Sequence, residues 1–183
     1  MKIFFFRHAE TKLDFDRPVS EWILTKRGHE DAMRIAATGI FDSVQRIISS
    51  DETKAKMTAQ YVCERLDIEL ESTEELNELY RGKESNMTQE EYRQAVKQFF
   101  ENGQALDWES LDSLQSRVTS FIDSIQTTSE VNNVLIVAHG INLTTYFAQL
   151  QGVLDTAFER WKKLKFCAYG IVENGIVVRD IVL

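Results

Sequence analysis

The residues that could carry out a reaction are few. The chain has three histidines, His8, His29 and His139. His8 follows the run Lys2–Phe6 and is preceded by Arg7; His139 follows Asn133–Ala138 and is succeeded by Gly140. Both runs are apolar enough to be strands buried on two faces. A strand-end arginine beside an imidazole sets a fixed positive charge next to a group that titrates near neutral pH and can attack an electrophile. Such a pair suits a phosphate or a carboxylate. Gly140 would let a ligand approach backbone N–H groups closely. His29 lies among charged residues near a helix start and reads as a solvated surface histidine.

The elements that must position these residues follow from the pattern. Thr25 is a good N-cap for a helix over His29–Thr38. Val44–Ile48 reads as a second strand, with Ser49-Ser50-Asp51 closing it. Lys54–Leu66 has the apolar spacing of a helix, and Ile68–Leu70 that of a short strand. Leu76–Asn86 is a mixed loop, Gln89–Asn102 and Leu111–Ile125 are amphipathic helices, and Leu143–Leu150 is a helix behind the clearest strand. Ala168–Glu173 and Ile176–Val182 are strands joined by Asn174-Gly175, a strong hairpin signal because both turn residues need positive φ. Two-sided strands alternating with helices predict an α/β fold, a three-layer α/β/α sandwich. Its central sheet is mainly parallel, with a C-terminal antiparallel hairpin at the edge. Ligands of such sheets bind outside the carboxyl ends of the strands, where His8 and His139 fall.

Composition narrows the function. A chain of 183 residues is the length of one ordinary domain, and one proline and eight glycines leave little for a flexible linker. The formal net charge of −8 argues against broad nucleic-acid or anionic-membrane binding, since both need basic patches. No stretch reaches the roughly 18 apolar residues of a membrane span. The N-terminus has no secretory pattern, so a soluble, cytoplasmic protein is expected. Cys63 and Cys167 lack metal-ligand spacing and read as buried free thiols. Ile176–Val182 is an edge that could pair with a second copy in a homodimer, although Arg179 and Asp180 would blunt it.

At this point the motifs carry a resemblance. Arg7-His8-Ala9-Glu10-Thr11 resembles the R-H-G-E-T signature of the histidine phosphatase superfamily, in its phosphoglycerate mutase-like branch. Leu24-Thr25-x-x-Gly28 resembles the family's L-T-x-x-G, and Ser49-Ser50-Asp51-x-x-Lys54-Ala55-x-x-Thr58-Ala59 its S-S-x-x-x-R-A-x-x-T-A. Leu76-Asn77-Glu78-x-x-x-Gly82 resembles L-x-E-x-x-x-G, and Val134–Gly140 the strand ending in A-H-G. The segments run in register from residue 3 to about 145.

The resemblance implies one domain over 1–183, with an acid loop and a helical cap-like region at about 76–108. It implies that His8 attacks phosphorus and becomes phosphohistidine, and that Glu78 is general acid and then general base. Arg7 and His139 would bind the phosphoryl oxygens, with Lys54 and Gly140 beside them. His139 is expected to be the protonated partner, and His8 the neutral one. The expected reaction is hydrolysis of a small phosphomonoester, with no metal or other cofactor. Phosphoglycerate mutase-type transfer, phosphohistidine protein phosphatase activity and weakly catalytic phosphate binding are the alternatives.

Three departures from the pattern stand out. Lys54 replaces an arginine, keeping the charge but losing the bidentate fork. Asp14 stands where a phosphate-contacting asparagine is common, and is expected to turn away or to pair with Lys12 or Arg17. Gly82-Lys83-Glu84-Ser85 differs from the usual end of the acid segment. Trp108, Phe99, Phe100 and Tyr80 are candidates for an apolar pocket wall or for plain packing.

Overall fold

The computed structural model describes residues 1–82, 87–128 and 131–182. The strands are β1 (Lys2–Arg7), β2 (Arg46–Ser50), β3 (Leu70–Thr73), β4 (Asn133–Ala138), β5 (Tyr169–Glu173) and β6 (Ile176–Arg179). The helices are α1 (Lys26–Ala36), α2 (Thr53–Leu66), α3 (Gln89–Asn102), α4 (Leu111–Thr128), α5 (Gly140–Leu150) and α6 (Ala157–Lys163). The six strands form one sheet in the order β3-β2-β4-β1-β5-β6. The β1–β4, β4–β2 and β2–β3 pairs are parallel; β1–β5 and β5–β6 are antiparallel. This is the expected mixed sheet, with the hairpin at its edge.

The triple phenylalanine explains how β1 is held. Alternate side chains of a strand point to opposite faces. Ile3 and Phe5 enter one core together with residues of α3 to α6. Phe4 and Phe6 enter the other, with residues of α1 and α2. Each buried ring is worth about 1.5–3 kcal/mol relative to exposure. With both faces filled, β1 has no freedom to slide or tilt, and its carboxyl end is a fixed point.

Several boundaries differ from the sequence expectation. The second strand runs from Arg46 to Ser50, two residues later than expected, so Ser49 and Ser50 belong to the strand. Both serines are buried but hydrogen-bonded, which lets polar residues continue a buried strand. The helix after β4 starts at Gly140 rather than at Leu143. The seven-residue helix α6 was not expected from the sequence. Cys63 and Cys167 are free and buried, and burial pushes their thiols up to about 11 and about 12. Among the described residues no helix is long and apolar enough to cross a membrane.

Candidate active site

The site grows out of strand register. Arg7 pairs with Ala138 across β1 and β4, so the next residues, His8 and His139, leave the sheet side by side. The backbone N–H of His8 donates to Ala138 O at 2.9 Å, and the two rings stand 5.1 Å apart between centroids. The end of β2 lies next to β4, which brings Ser50 within 2.8 Å of His139 Nε2.

The surrounding motifs lock one another. Thr25 caps α1 by accepting from Gly28 N–H at 2.9 Å, and its hydroxyl donates to Glu10 at 2.8 Å. A Cβ on Gly28 would run into the carbonyl oxygen of Glu10. Thr58 accepts from Ala9 N–H at 3.0 Å. The first three segments are thus one unit that holds the turn after His8.

The hydrogen bonds fix both tautomers. His8 Nδ1 lies 2.8 Å from Ala9 O. A carbonyl only accepts, so Nδ1 carries the hydrogen and Nε2 keeps its lone pair. His8 is 6% exposed, and its pKa is pushed well below the usual imidazole range. Burial is the main cause; His139, Arg7 and Lys54 add to it. At neutral pH the ring is uncharged.

For His139 the reasoning runs through Ser50. Asn77 Oδ1 accepts from Ser50 Oγ–H at 2.8 Å and from Asp51 N–H at 2.9 Å. The serine proton is therefore committed, so His139 Nε2–H must donate to Ser50 Oγ. Nδ1 has no partner. Burial, Lys54 and Arg7 push the pKa of this fully buried ring well below the usual range. The expected protonated partner is thus a neutral ring. Its one ring hydrogen is spent on Ser50, so it can donate to a ligand only after Nδ1 takes up a proton.

Glu78 occupies the N-terminus of α5. Its carboxylate accepts from Ile141 N–H at 3.1 Å, Asn142 N–H at 3.2 Å and its neighbour Leu79 N–H at 3.1 Å. The first N–H groups of a helix have no partner within it, so a carboxylate there answers an unmet need. Asn142 completes the junction by accepting from His139 N–H at 3.0 Å and donating to Leu76 O at 2.9 Å.

Arg7, His8, Lys54 and Glu78 line one cleft of ≈ 640 Å³. His139 and Gly140 are buried behind that wall. Gly140 serves Arg7: a Cβ there would stand 3.2–3.3 Å from the guanidinium. Arg7 donates to Leu164 O at 2.5 Å and lies 4.4 Å beneath the Phe166 ring, while its buried Nε has no partner. Lys54 is 4% exposed, donates to Val19 O at 2.8 Å and is bonded to the carboxylate of Glu52. Asp14 faces Arg17 at 3.7 Å and is no part of the cleft wall.

Other expectations sort plainly. His29 is half-buried and bonded through Nδ1 to Tyr61 Oη at 2.7 Å, not solvated, because α1 packs on α2 there. Trp108 lines the cleft; Phe99 and Phe100 are core, and Tyr80 is exposed. Lys83, Glu84 and Ser85 of the divergent acid-loop ending lie outside the described residues. Glu52 and Phe166 were missed by sequence reasoning. Glu52 sits at an unspecified position of the third segment. Phe166 lies in a loop beyond every motif, and nothing in the pattern flags it.

Comparison with known proteins agrees with this geometry. A family model described as the histidine phosphatase superfamily (branch 1) matches residues 3–175. A probable phosphoglycerate mutase GpmB of Escherichia coli O1:K1 / APEC is 26% identical over 183 residues, covering 94% of this chain and 85% of its own. Bacillus stearothermophilus YhfR superposes with a TM-score of 0.81 at 26% identity, over 97% of this chain and 94% of its own. The alpha-ribazole phosphatase from Shigella flexneri, 21% identical, shares the fold with a TM-score of 0.78, over 100% of this chain and 96% of its own. With its motifs in register and its two histidines at adjacent strand ends, the chain belongs to branch 1 of the histidine phosphatase superfamily.

Proposed function

We propose that the protein is a phosphatase that hydrolyses a small phosphomonoester through a phosphohistidine on His8. The observation that carries this reading is the state of the His8 ring. Its hydrogen is committed to Ala9 O, its charge is suppressed, and the nitrogen left with a lone pair belongs to a ring on the cleft wall beside Arg7, Lys54 and Glu78.

In the first step His8 Nε2 forms a bond to phosphorus as the bond from phosphorus to the alcohol oxygen breaks. The electron pair of that bond leaves with the oxygen, which takes a proton from Glu78. Positive charge grows on the imidazole and is met by the Ala9 carbonyl through Nδ1–H. In the second step Glu78 takes a proton from water, the water oxygen attacks phosphorus, and the pair of the N–P bond returns to Nε2. Inorganic phosphate leaves and His8 is neutral again. Arg7 and Lys54 take the equatorial oxygens, where charge accumulates during phosphoryl transfer, and His139 joins them once the arriving phosphate draws a proton onto its free Nδ1. The scheme needs no metal and no partner other than the small phosphorylated substrate.

A second reading, transfer between phosphoglycerates, comes from the name of the Escherichia coli relative. It differs only in the acceptor, which would be a substrate hydroxyl instead of water. The test is turnover of p-nitrophenyl phosphate in EDTA, combined with trapping of acid-labile, base-stable phosphate on the protein. Turnover is expected to survive the chelator, the label to map to His8, and His8→Ala to lose both. With 3-phosphoglycerate as the substrate, its conversion to 2-phosphoglycerate without release of inorganic phosphate would support the mutase reading. Absence of turnover and label with every phosphomonoester, or dependence on metal, would overturn the proposal.

A further inference from the structure

We infer that the substrate's alcohol is large, flat and mainly apolar, in contrast to the small carboxylated alcohols of phosphoglycerates and phosphoamino acids. The inference rests on the phosphatase reading and comes from the walls of the cleft above His8.

The floor is aromatic. The Phe166 ring lies 5.6 Å from the His8 ring as well as over Arg7, so an alcohol leaving phosphorus departs beside a π face. One wall carries Phe15 and Trp22, edge to face at 6.2 Å. Another carries Tyr92, with Trp108 at 6.0 Å and Trp161 at 5.9 Å. All of these line the same cleft. Phe15 is 62% exposed, Leu13 52% and Phe166 42%, and Leu13 also lines the cleft. Large apolar side chains left open together in one concavity mark a binding surface, because leaving them in water costs free energy that only a ligand recovers. A volume of ≈ 640 Å³ falls in the range of sites that enclose whole organic molecules, and far exceeds one phosphoryl group.

The charges point the same way. Near the phosphoryl position Arg7 and Lys54 are offset by the carboxylates of Glu52 and Glu78. Further out, Arg17 faces Asp14, and Asp16 lines the cleft beside it. Arg81 lies against Tyr92, its guanidinium 5.4 Å from the ring centroid. A second anionic group on the substrate would find Arg17 already facing Asp14 and Arg81 already over Tyr92, and would leave the aromatic walls wet.

The test uses substrates whose leaving oxygens are chemically alike. In 1-naphthylmethyl phosphate and in phosphoserine the leaving group is a primary alkoxide, so intrinsic reactivity is matched and the wall contacts decide. The naphthylmethyl ester is expected to have a kcat/KM at least roughly tenfold higher than phosphoserine or 3-phosphoglycerate, mostly through KM, the scale at which apolar pockets discriminate. Phe15→Ala with Trp22→Ala should shrink that ratio towards one. A ratio of one or less in the native protein, or a ratio untouched by the double substitution, would overturn the inference. A binding arm separates it from the catalytic reading. His8→Ala is titrated calorimetrically with 1-naphthylmethylphosphonate and with 3-phosphonopropanoate. Tighter binding of the first without turnover of any ester would retain the substrate class and sink the phosphatase; equal binding would sink the class.

Discussion

Lys54 stands where the family's third segment carries arginine, and its ammonium is spent on two oxygens, the Val19 carbonyl and the Glu52 carboxylate. Glu52 also accepts from Glu78 N–H at 2.7 Å and lies 3.6 Å from His139 Nε2. A carboxylate only 8% exposed is thus tied to three parts of the site at once. A buried charge is tolerated when paired and costly when its partner is removed. Lys54→Met is therefore expected to destabilise the fold by about 3–5 kcal/mol. Lys54→Met with Glu52→Leu should recover most of that, since neither charge then remains. Urea unfolding of the two variants checks this, and a single variant within about 1 kcal/mol of the native protein would refute the coupling. The place of Lys54 on the cleft wall was legible in the sequence because the motif marks it. Glu52 was not: its position carries no pattern, and its role depends on folding back over Lys54 and towards β4.

At the scale of elements, the junction of β4 with α5 does most of the positioning. His139 is the N-cap residue, Gly140 opens the helix, and the next two N–H groups hold Glu78. The strand was legible because burial on both faces makes β4 a continuous apolar run. The true helix start was not, because Gly140 and Asn142 are poor helix formers retained for contacts that only the fold creates. The loop from Leu164 to Cys167 is the other illegible piece. It supplies the Leu164 carbonyl and the Phe166 ring to Arg7, and turns through Cys167 at φ 55°. Arg7 is pinned between that loop and Gly140, with space for hydrogen only. Gly140→Ala would add a methyl group 3.2–3.3 Å from the guanidinium. The helix itself should tolerate alanine, which favours helix by up to about 1 kcal/mol over glycine. The arginine fork should shift, and displacements of this kind cost up to about a hundredfold in rate. The expected result is a marked fall in kcat/KM on p-nitrophenyl phosphate with a melting temperature close to the native one. Native kinetics in this variant would show that the fork has room to spare.

For the whole molecule, the site sets how stability depends on pH. The sheet is clamped between two cores, and the ends of β1 and β4 carry His8 and His139 into a place where both are buried and surrounded by Arg7 and Lys54. Sequence alone shows two histidines at strand ends. It does not show their charge state, which depends on the absence of water and on cations brought in from β1 and α2. Both folded-state pKa values lie well below that of an unfolded histidine, about 6.5. Above that value both states are neutral and the fold has its full stability. Below it, the unfolded imidazoles bind protons that the folded ones refuse, so acid favours unfolding. The slope approaches about 1.4 kcal/mol per pH unit for each histidine, and continues until the folded rings themselves titrate. Urea midpoints measured from pH 7.5 down to 5.5 should therefore fall steadily, before most carboxylates begin to protonate. His8→Gln should roughly halve the slope while His139 still contributes. A stability that stays level across this interval would mean that the two rings accept protons as readily in the folded protein as in the unfolded one, and that burial does not hold them neutral.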